Sequence, residues 1–396
     1  MRMWKKLTKL HNANIAVVIF LYVTGILLAI PFLRGMIADV RVPFKNFHIF
    51  IGFVSIVLLI MYYRYFQFHY KTVKKQNAKK FNLWFVITFT IGWIASGLIL
   101  TFHRSFPALA NQSALFIHNI LTWVGLPFIV YHSITRAKWV RKQLLNKNNS
   151  QPSLFNFSRK GFIKYGITSL LVILVGPTVY RWMKQFLDPG GQVLADVVRR
   201  DKNKMNPLPT PAPASNPPVG GGYKGNFRVY TVTDIPKYKN DNWSFTIDGL
   251  VEEPVTLSWE EFITMKRVVQ VSDFYCVTGW SVFSVTYEGI LLKDLLKKVN
   301  FTNKATHLKF YSGDGVYTDC LSLEQAHMDD VMVALLMDGY PIPSDYGGPA
   351  RLIVPKMYAY KAVKWLVRIE AIDHEHLGYW QVRGYDTNAW VHGKQS

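Results

Sequence analysis

The chain has 396 residues, with 46 Lys and Arg against 25 Asp and Glu, a formal net charge of +21, and half of its residues hydrophobic. That length accommodates two domains of ordinary size. The basic excess does not point to nucleic acid, because most of the cations sit in short stretches beside apolar runs, the pattern of a membrane protein. Two cysteines, Cys276 and Cys320, exclude a disulfide framework.

Five apolar segments are each long enough to cross a bilayer, which takes roughly 20 helical residues. They lie near residues 14–33, 46–66, 82–102, 114–134 and 162–182. The first belongs to a multi-span pattern and is followed by no small-residue cleavage site, so it reads as a span and not as a signal peptide. Lys and Arg crowd the N-terminus (Arg2, Lys5, Lys6, Lys9), the second loop (Lys71 to Lys80) and the fourth loop (Lys138 to Lys164). The first and third loops are poorer in them, so the N-terminus is expected on the cytoplasmic side. Five spans then carry everything after residue 185 outside.

Residues 188–225 read as a linker. Pro207, Pro209, Pro211, Pro213, Pro217 and Pro218 precede Gly220, Gly221 and Gly222, a composition expected to form an extended, semi-rigid tether. From 226 onward, short alternating strands (Trp243–Ile247, Leu308–Tyr311, Arg351–Val354) mix with short helices such as Leu291–Val299, which predicts an α+β domain over 226–396. The expected domains are therefore a four-helix membrane domain over 1–150, a fifth span within 151–187, the linker over 188–225, and the exported domain.

Four histidines sit on the spans at matched depths: His11 and His132 near the inner ends, His48 and His118 near the outer ends. His118 and His132 are fourteen residues apart, which places them within about 40° of one helix face and about 21 Å apart along the axis. Ionisable residues inside spans are functional by default. Depth pairs His48 with His118 and His11 with His132, each pair suited to one haem iron. Two imidazoles per iron leave no open position, so such haems carry electrons. Gly25, fourteen residues after His11 on the same face, would let a haem approach the backbone. A single histidine at a helix end is more often an interfacial anchor, and His69 and His103 read that way. This arrangement resembles the di-haem cytochrome b subunits of membrane formate dehydrogenases and nickel-iron hydrogenases. The resemblance covers residues 1–135 and implies two haem b groups and a quinone reacting near the cytoplasmic one.

In the exported domain the informative stretch is Asp273-Phe274-Tyr275-Cys276-Val277-Thr278-Gly279-Trp280-Ser281. A cysteine after a strand, followed by a glycine turn, presents a thiolate in a fixed direction, and a soft thiolate suits a soft or high-valent metal. A generic cysteine would instead be a small buried hydrophobe, the reading given to Cys320. Further on stand Trp243 to Val251, Gly347-Gly348-Pro349-Ala350-Arg351-Leu352-Ile353-Val354-Pro355 and Tyr360-Lys361-Ala362-Val363-Lys364. Together these resemble the sulfite-oxidase family of molybdopterin proteins, in particular the bacterial branch that includes the periplasmic methionine sulfoxide reductase catalytic subunit. The resemblance covers 227–390 and implies Cys276 as a direct molybdenum ligand. It implies Arg351, Lys361, Ala362, Val363 and Lys364 as the molybdopterin-binding region, where cations and main-chain N–H groups suit a phosphate. Tyr346, Ser312, Tyr230 and Thr231 are weaker candidates for polar contacts with that cofactor. Tyr275 stands where near relatives often have His.

A cofactor-loaded domain has to cross the membrane folded. Ser158-Arg159-Lys160-Gly161-Phe162-Ile163-Lys164, just before the fifth span, resembles a twin-arginine export signal with Lys160 in place of the second arginine. The combined expectation is a bacterial membrane protein that takes electrons from quinol, carries them through two b haems, and reduces a small S-oxide, an N-oxide or an oxidised protein outside. The reverse flow, from a donor such as sulfite to quinone, is the alternative, and a non-catalytic haem conduit or redox sensor is a third.

Overall fold

The computed structural model describes residues 2–30, 33, 36–136, 192–215 and 220–391. They fall into a helical unit and an α+β unit.

The helical unit consists of α1 (Arg2–Ala29), α2 (Arg41–Val73), α3 (Asn77–Thr101) and α4 (Ala108–Arg136). Three stretches, Lys5–Ala29, Ala38–Val73 and Lys79–Thr101, are long and apolar enough to cross a membrane, each with mean hydropathy 2.0. The helix α4 covers the fourth expected span. The fifth, at 162–182, and the segment 158–164 lie outside the described residues. Burial in this unit is inverted relative to a soluble bundle. Ile19, Val23, Phe50 and Ile60 face outward, whereas Thr24 and Ser96 are buried. Lipid solvates the apolar side chains, so small and polar residues share the interior with a few apolar ones such as Leu7, Leu10 and Leu83. At Gly125 a Cβ atom would stand 2.7 Å from both the Trp93 ring and the Tyr22 hydroxyl, so glycine lets these helices close on one another.

The α+β unit holds two five-stranded sheets. One contains β1 (Phe245–Gly249), β2 (Val255–Leu257), β5 (His307–Ser312), β6 (Thr318–Ser322) and β10 (Leu366–Ile372), in the order β2-β1-β10-β5-β6. The other contains β3 (Val268–Tyr275), β4 (Ser281–Leu291), β7 (Met332–Met337) and β8 (Tyr340–Pro341), with β9 (Arg351–Ile353) paired to β7. Among the described strands β1 and β10 pair in parallel, and the remaining ladders are antiparallel. Every residue of β7 is buried, as its unbroken apolar run requires. The helix expected over Leu291–Val299 is shorter, Leu292–Leu296. Two other short helices begin at serines that close capping boxes, Ser258 with Glu261 and Ser322 with Gln325.

The linker expectation is corrected for residues 192–215 and 220–225, which pack onto the α+β unit as a strap. A short helix, Leu194–Arg199, buries Leu194 and Val197, and Met205 enters the core. The Pro207 carbonyl accepts from Trp259 Nε1 at 2.9 Å and the Thr210 carbonyl from Arg267 at 2.8 Å. Two buried acids complete the attachment. Glu288 accepts from Ala212 N at 2.9 Å and Ser215 Oγ at 2.7 Å, and pairs with Arg267 at 3.2 Å. Asp338 accepts from Tyr223 N and Thr286 N, both at 2.8 Å. A Cβ at Gly220 would stand 2.1 Å from the Asp338 carboxylate, so glycine is what lets the strap close there. Composition concealed this because prolines lack donors but keep carbonyls, and a few anchors suffice to hold an extended chain.

Removing the Asp338 carboxylate leaves buried main-chain N–H groups without acceptors. Asp338→Ala is therefore expected to destabilise the α+β unit by about 2–4 kcal/mol. Denaturant unfolding would read the loss, and limited proteolysis would find new cleavage near residues 220–225.

Candidate functional site

In the helical unit, His48 on α2 and His118 on α4 face one another across a cavity that Tyr22, Gly25, Trp93 and Gly97 also line. Their ring centres are 6.5 Å apart and their planes 73° apart. A metal–imidazole bond of about 2.0–2.1 Å, with roughly 1.2 Å more to the ring centre, puts two rings on opposite sides of one metal about 6.4–6.6 Å apart. The spacing fits a single iron held by both. Thr24 Oγ1 stands 2.7 Å from His48 Nδ1, and Ser96 Oγ stands 3.0 Å from His118 Nδ1. Neither hydroxyl is apparent from the histidine pattern. The signal available was a recurrence, Thr24-Gly25 on α1 and Ser96-Gly97 on α3. His11 lies exposed on α1. His132 lies on α4 with its side chain outside the described residues, so the second expected pair is not placed. His69 accepts or donates at 2.8 Å with the Tyr62 hydroxyl.

In the α+β unit, Cys276 follows β3 directly and precedes β4. A tight turn fixes it: Cys276 N donates to Trp280 O, and Gly279 N donates to Cys276 O, both at 3.0 Å. Gly279 adopts φ +91°, a left-handed conformation that glycine takes without strain. The half-buried thiol is 3.2 Å from Thr278 Oγ1 and forms no disulfide. Ala359 N donates to Tyr275 O at 2.8 Å, which ties the cysteine turn to the segment 358–363. Cys320 differs in kind. It is buried in β6, and burial pushes its thiol up to about 11, so it stays protonated at neutral pH.

Arg351 is buried at the start of β9. Its guanidinium lies 5.0 Å from the centre of the Phe274 ring and donates to Tyr346 O at 2.7 Å. Among the described residues its Nε has no partner, and the hydroxyls of Tyr346 and Tyr287 are likewise unmet. Lys364 donates to the main-chain carbonyls of Tyr230 at 3.0 Å and Asp345 at 3.2 Å. Burial, with Arg351 nearby, pushes its amine down to about 7. A buried guanidinium and a half-buried ammonium side by side, held by carbonyls and rings with no carboxylate bonded to either among the described residues, make a costly arrangement that a bound anion relieves. The phosphate of molybdopterin is an anion of that kind, so these donors fit the group.

Lys361, of the expected binding region, has partners within the protein. It pairs with Asp319 at 2.8 Å, both side chains buried, and donates to Cys320 O at 2.8 Å. The main-chain N–H groups of Lys361, Ala362 and Val363 are also taken up, by Tyr358 O, Ala359 O and Lys361 O. Asp319, which sequence reasoning did not single out, thus neutralises a cation of the expected binding region. Ser312 is buried at the end of β5, where its hydroxyl accepts from Asp314 N at 3.3 Å. Tyr230 packs its ring against Trp380, and Thr231 is half-buried beside it.

A pH dependence follows from Lys364. With the folded amine near 7 and the ordinary value at 10.5, the unfolded chain binds the extra proton between those values, so stability rises with pH across that window. The cofactor-free protein is expected to gain stability from about pH 7 to 10 in thermal unfolding, Lys364→Met to lose that gain, and cofactor binding to flatten it.

Comparison with known proteins agrees with this division. Residues 232–380 match the family described as oxidoreductase molybdopterin binding domain, and residues 5–148 match prokaryotic cytochrome b561. The oxidoreductase YuiH of Bacillus subtilis (strain 168) is 29% identical over 161 residues, 40% of this chain and 81% of that protein. The protein-methionine-sulfoxide reductase catalytic subunit MsrP of Gluconobacter oxydans (strain 621H) is 31% identical over 155 residues, 35% of this chain and 49% of that protein. This chain thus spans about half the length of that subunit. The putative protein-methionine-sulfoxide reductase subunit YedZ1 of Azospira oryzae is 25% identical over 186 residues, 47% of this chain and 68% of that protein. The chain is therefore a membrane oxidoreductase that joins a prokaryotic cytochrome b561 domain to an oxidoreductase molybdopterin-binding domain.

Proposed function

We propose that this chain is a quinol-linked reductase of an S-oxide or N-oxide, with five spans, a cytoplasmic N-terminus and the molybdopterin domain outside. The observation that carries the reading is that one chain holds both a His48–His118 pair spaced for one metal and a free thiol, Cys276, fixed on a rigid turn. When bound, haem b supplies one-electron carriage and molybdopterin supplies two-electron oxygen-atom transfer.

In this reading His48 and His118 would hold the outer haem, which would supply one-electron carriage. His11 and His132 hold a second haem near the quinol side. Cys276 ligates molybdenum as thiolate, and the Cys276–Trp280 turn aims its sulfur. Arg351 and Lys364 hold the anionic end of molybdopterin, with Tyr346, Tyr230, Thr231 and Ser312 in the surrounding wall. The 158–164 segment serves as the export signal for the loaded domain. The likeness to methionine sulfoxide reductase subunits favours a sulfoxide and the reductive direction. The arginines also disfavour sulfite as donor. Arg351 is buried against Phe274 and Tyr346, and Arg383 lies on the Tyr379 ring at 3.6 Å. A sulfite site would instead gather exposed guanidinium groups around the metal.

The test uses the intact protein in detergent. Haem reduced by a quinol analogue is expected to reoxidise on addition of one of a panel of sulfoxides and N-oxides, and Cys276→Ser is expected to bring that rate to background. Haem that no oxide reoxidises, but that sulfite reduces, would reverse the direction.

A further inference from the structure

Each facing histidine is met by the same two-residue device from a neighbouring helix. Thr24-Gly25 on α1 meets His48, and Ser96-Gly97 on α3 meets His118. The two hydroxyls are almost fully buried, at 1% and 4% exposure. Thr24 Oγ1 donates to Phe20 O at 2.9 Å, with Leu21 O at 3.2 Å. Ser96 Oγ donates to Gly92 O at 2.7 Å, with Trp93 O at 3.2 Å. A hydroxyl has one proton to give, and a carbonyl can only accept. The proton is therefore committed to the helix, and the hydroxyl oxygen is left to accept from the imidazole. That fixes both rings with the proton on Nδ1 and the lone pair on Nε2. The adjacent glycines lie beside Cε1 of each ring, where a Cβ would make ordinary contact. A Cβ at Gly25 would lie 3.5 Å from His48 Cε1, and one at Gly97 would lie 3.7 Å from His118 Cε1. The arrangement is a twofold structural repeat: α1 positions a ring of α2 as α3 positions a ring of α4.

We propose that Thr24 and Ser96 are a matched pair of positioning residues that hold His48 and His118 as Nδ1-protonated ligands and lower the reduction potential of the iron between them. The inference rests on the reading of that pair as haem ligands. An Nδ1–H that donates to an oxygen makes its imidazole a stronger electron donor, which favours the ferric state. Because both hydroxyls act on one iron, removing either weakens the same donation.

The experiment is a redox titration of the full-length, haem-loaded protein in detergent, followed at the b-haem absorbance bands. Thr24→Val and Ser96→Ala are each expected to shift the ferric–ferrous balance about tenfold toward ferrous, about 59 mV upward for a one-electron couple. Both are expected to move the same haem and to move it further together. Thr24→Ser and Ser96→Thr keep the acceptor and are expected to titrate as the parent. Loss of haem in Thr24→Val with retention in Thr24→Ser would support the same role. Haem retained at unchanged potential in both single variants and the double variant would overturn the inference while leaving the ligand assignment intact. Shifts in two different haems would also overturn it. His48→Ala and His118→Ala separate the two levels: a full haem complement in either would refute the ligand reading and the inference with it.

Discussion

Burying an imidazole, a guanidinium or an ammonium costs several kcal/mol unless a partner comes with it, and both halves of this chain are arranged around that cost. In the helical unit, two imidazoles sit between apolar helices with one nitrogen of each satisfied by a hydroxyl. In the α+β unit, Arg351 is buried and Lys364 half-buried beside it, and among the described residues no carboxylate is bonded to either. Elsewhere the same unit pairs buried charges with opposite ones, Lys361 with Asp319 and Glu288 with Arg267. The contrast separates charges that complete the fold from charges to which the proposed function assigns a ligand. In the proposed function a metal and an anion would be the partners at these two places.

The scaffold around each site is correspondingly fixed. Cys276 is held by a turn closed at both ends, and its neighbour Tyr275 is bonded to the loop that leads into Lys361. Asp338 and Glu288 clamp the strap onto the sheet formed by β3, β4 and β7. A rigid site suits a reaction in which the cofactor does the chemistry and the protein supplies position and charge.

The large features were legible in the sequence because they depend on strong, local signals. Apolar runs of span length gave α1 to α4, and a fourteen-residue interval put His118 and His132 on one helix. A strand followed by a glycine turn located Cys276 between β3 and β4. What escaped depended on contacts between residues distant in the chain. Thr24 and His48 are 24 residues apart, Ser96 and His118 are 22 apart, and Lys361 and Asp319 are 42 apart. No periodicity reports such pairings. The strap escaped for a different reason: its prolines and glycines signal extended chain, and extended chain can be free or clamped depending on two acids more than sixty residues away.

The thiolate is the point on which the catalytic account turns, and X-ray absorption at the molybdenum edge of the purified full-length protein examines it without reference to substrate. Molybdenum bound by the dithiolene of molybdopterin and by Cys276 has three sulfur neighbours. The account predicts three in the parent and in Cys320→Ser, and two in Cys276→Ser. An unchanged sulfur count in Cys276→Ser, or protein that holds haem but no molybdenum, would contradict it.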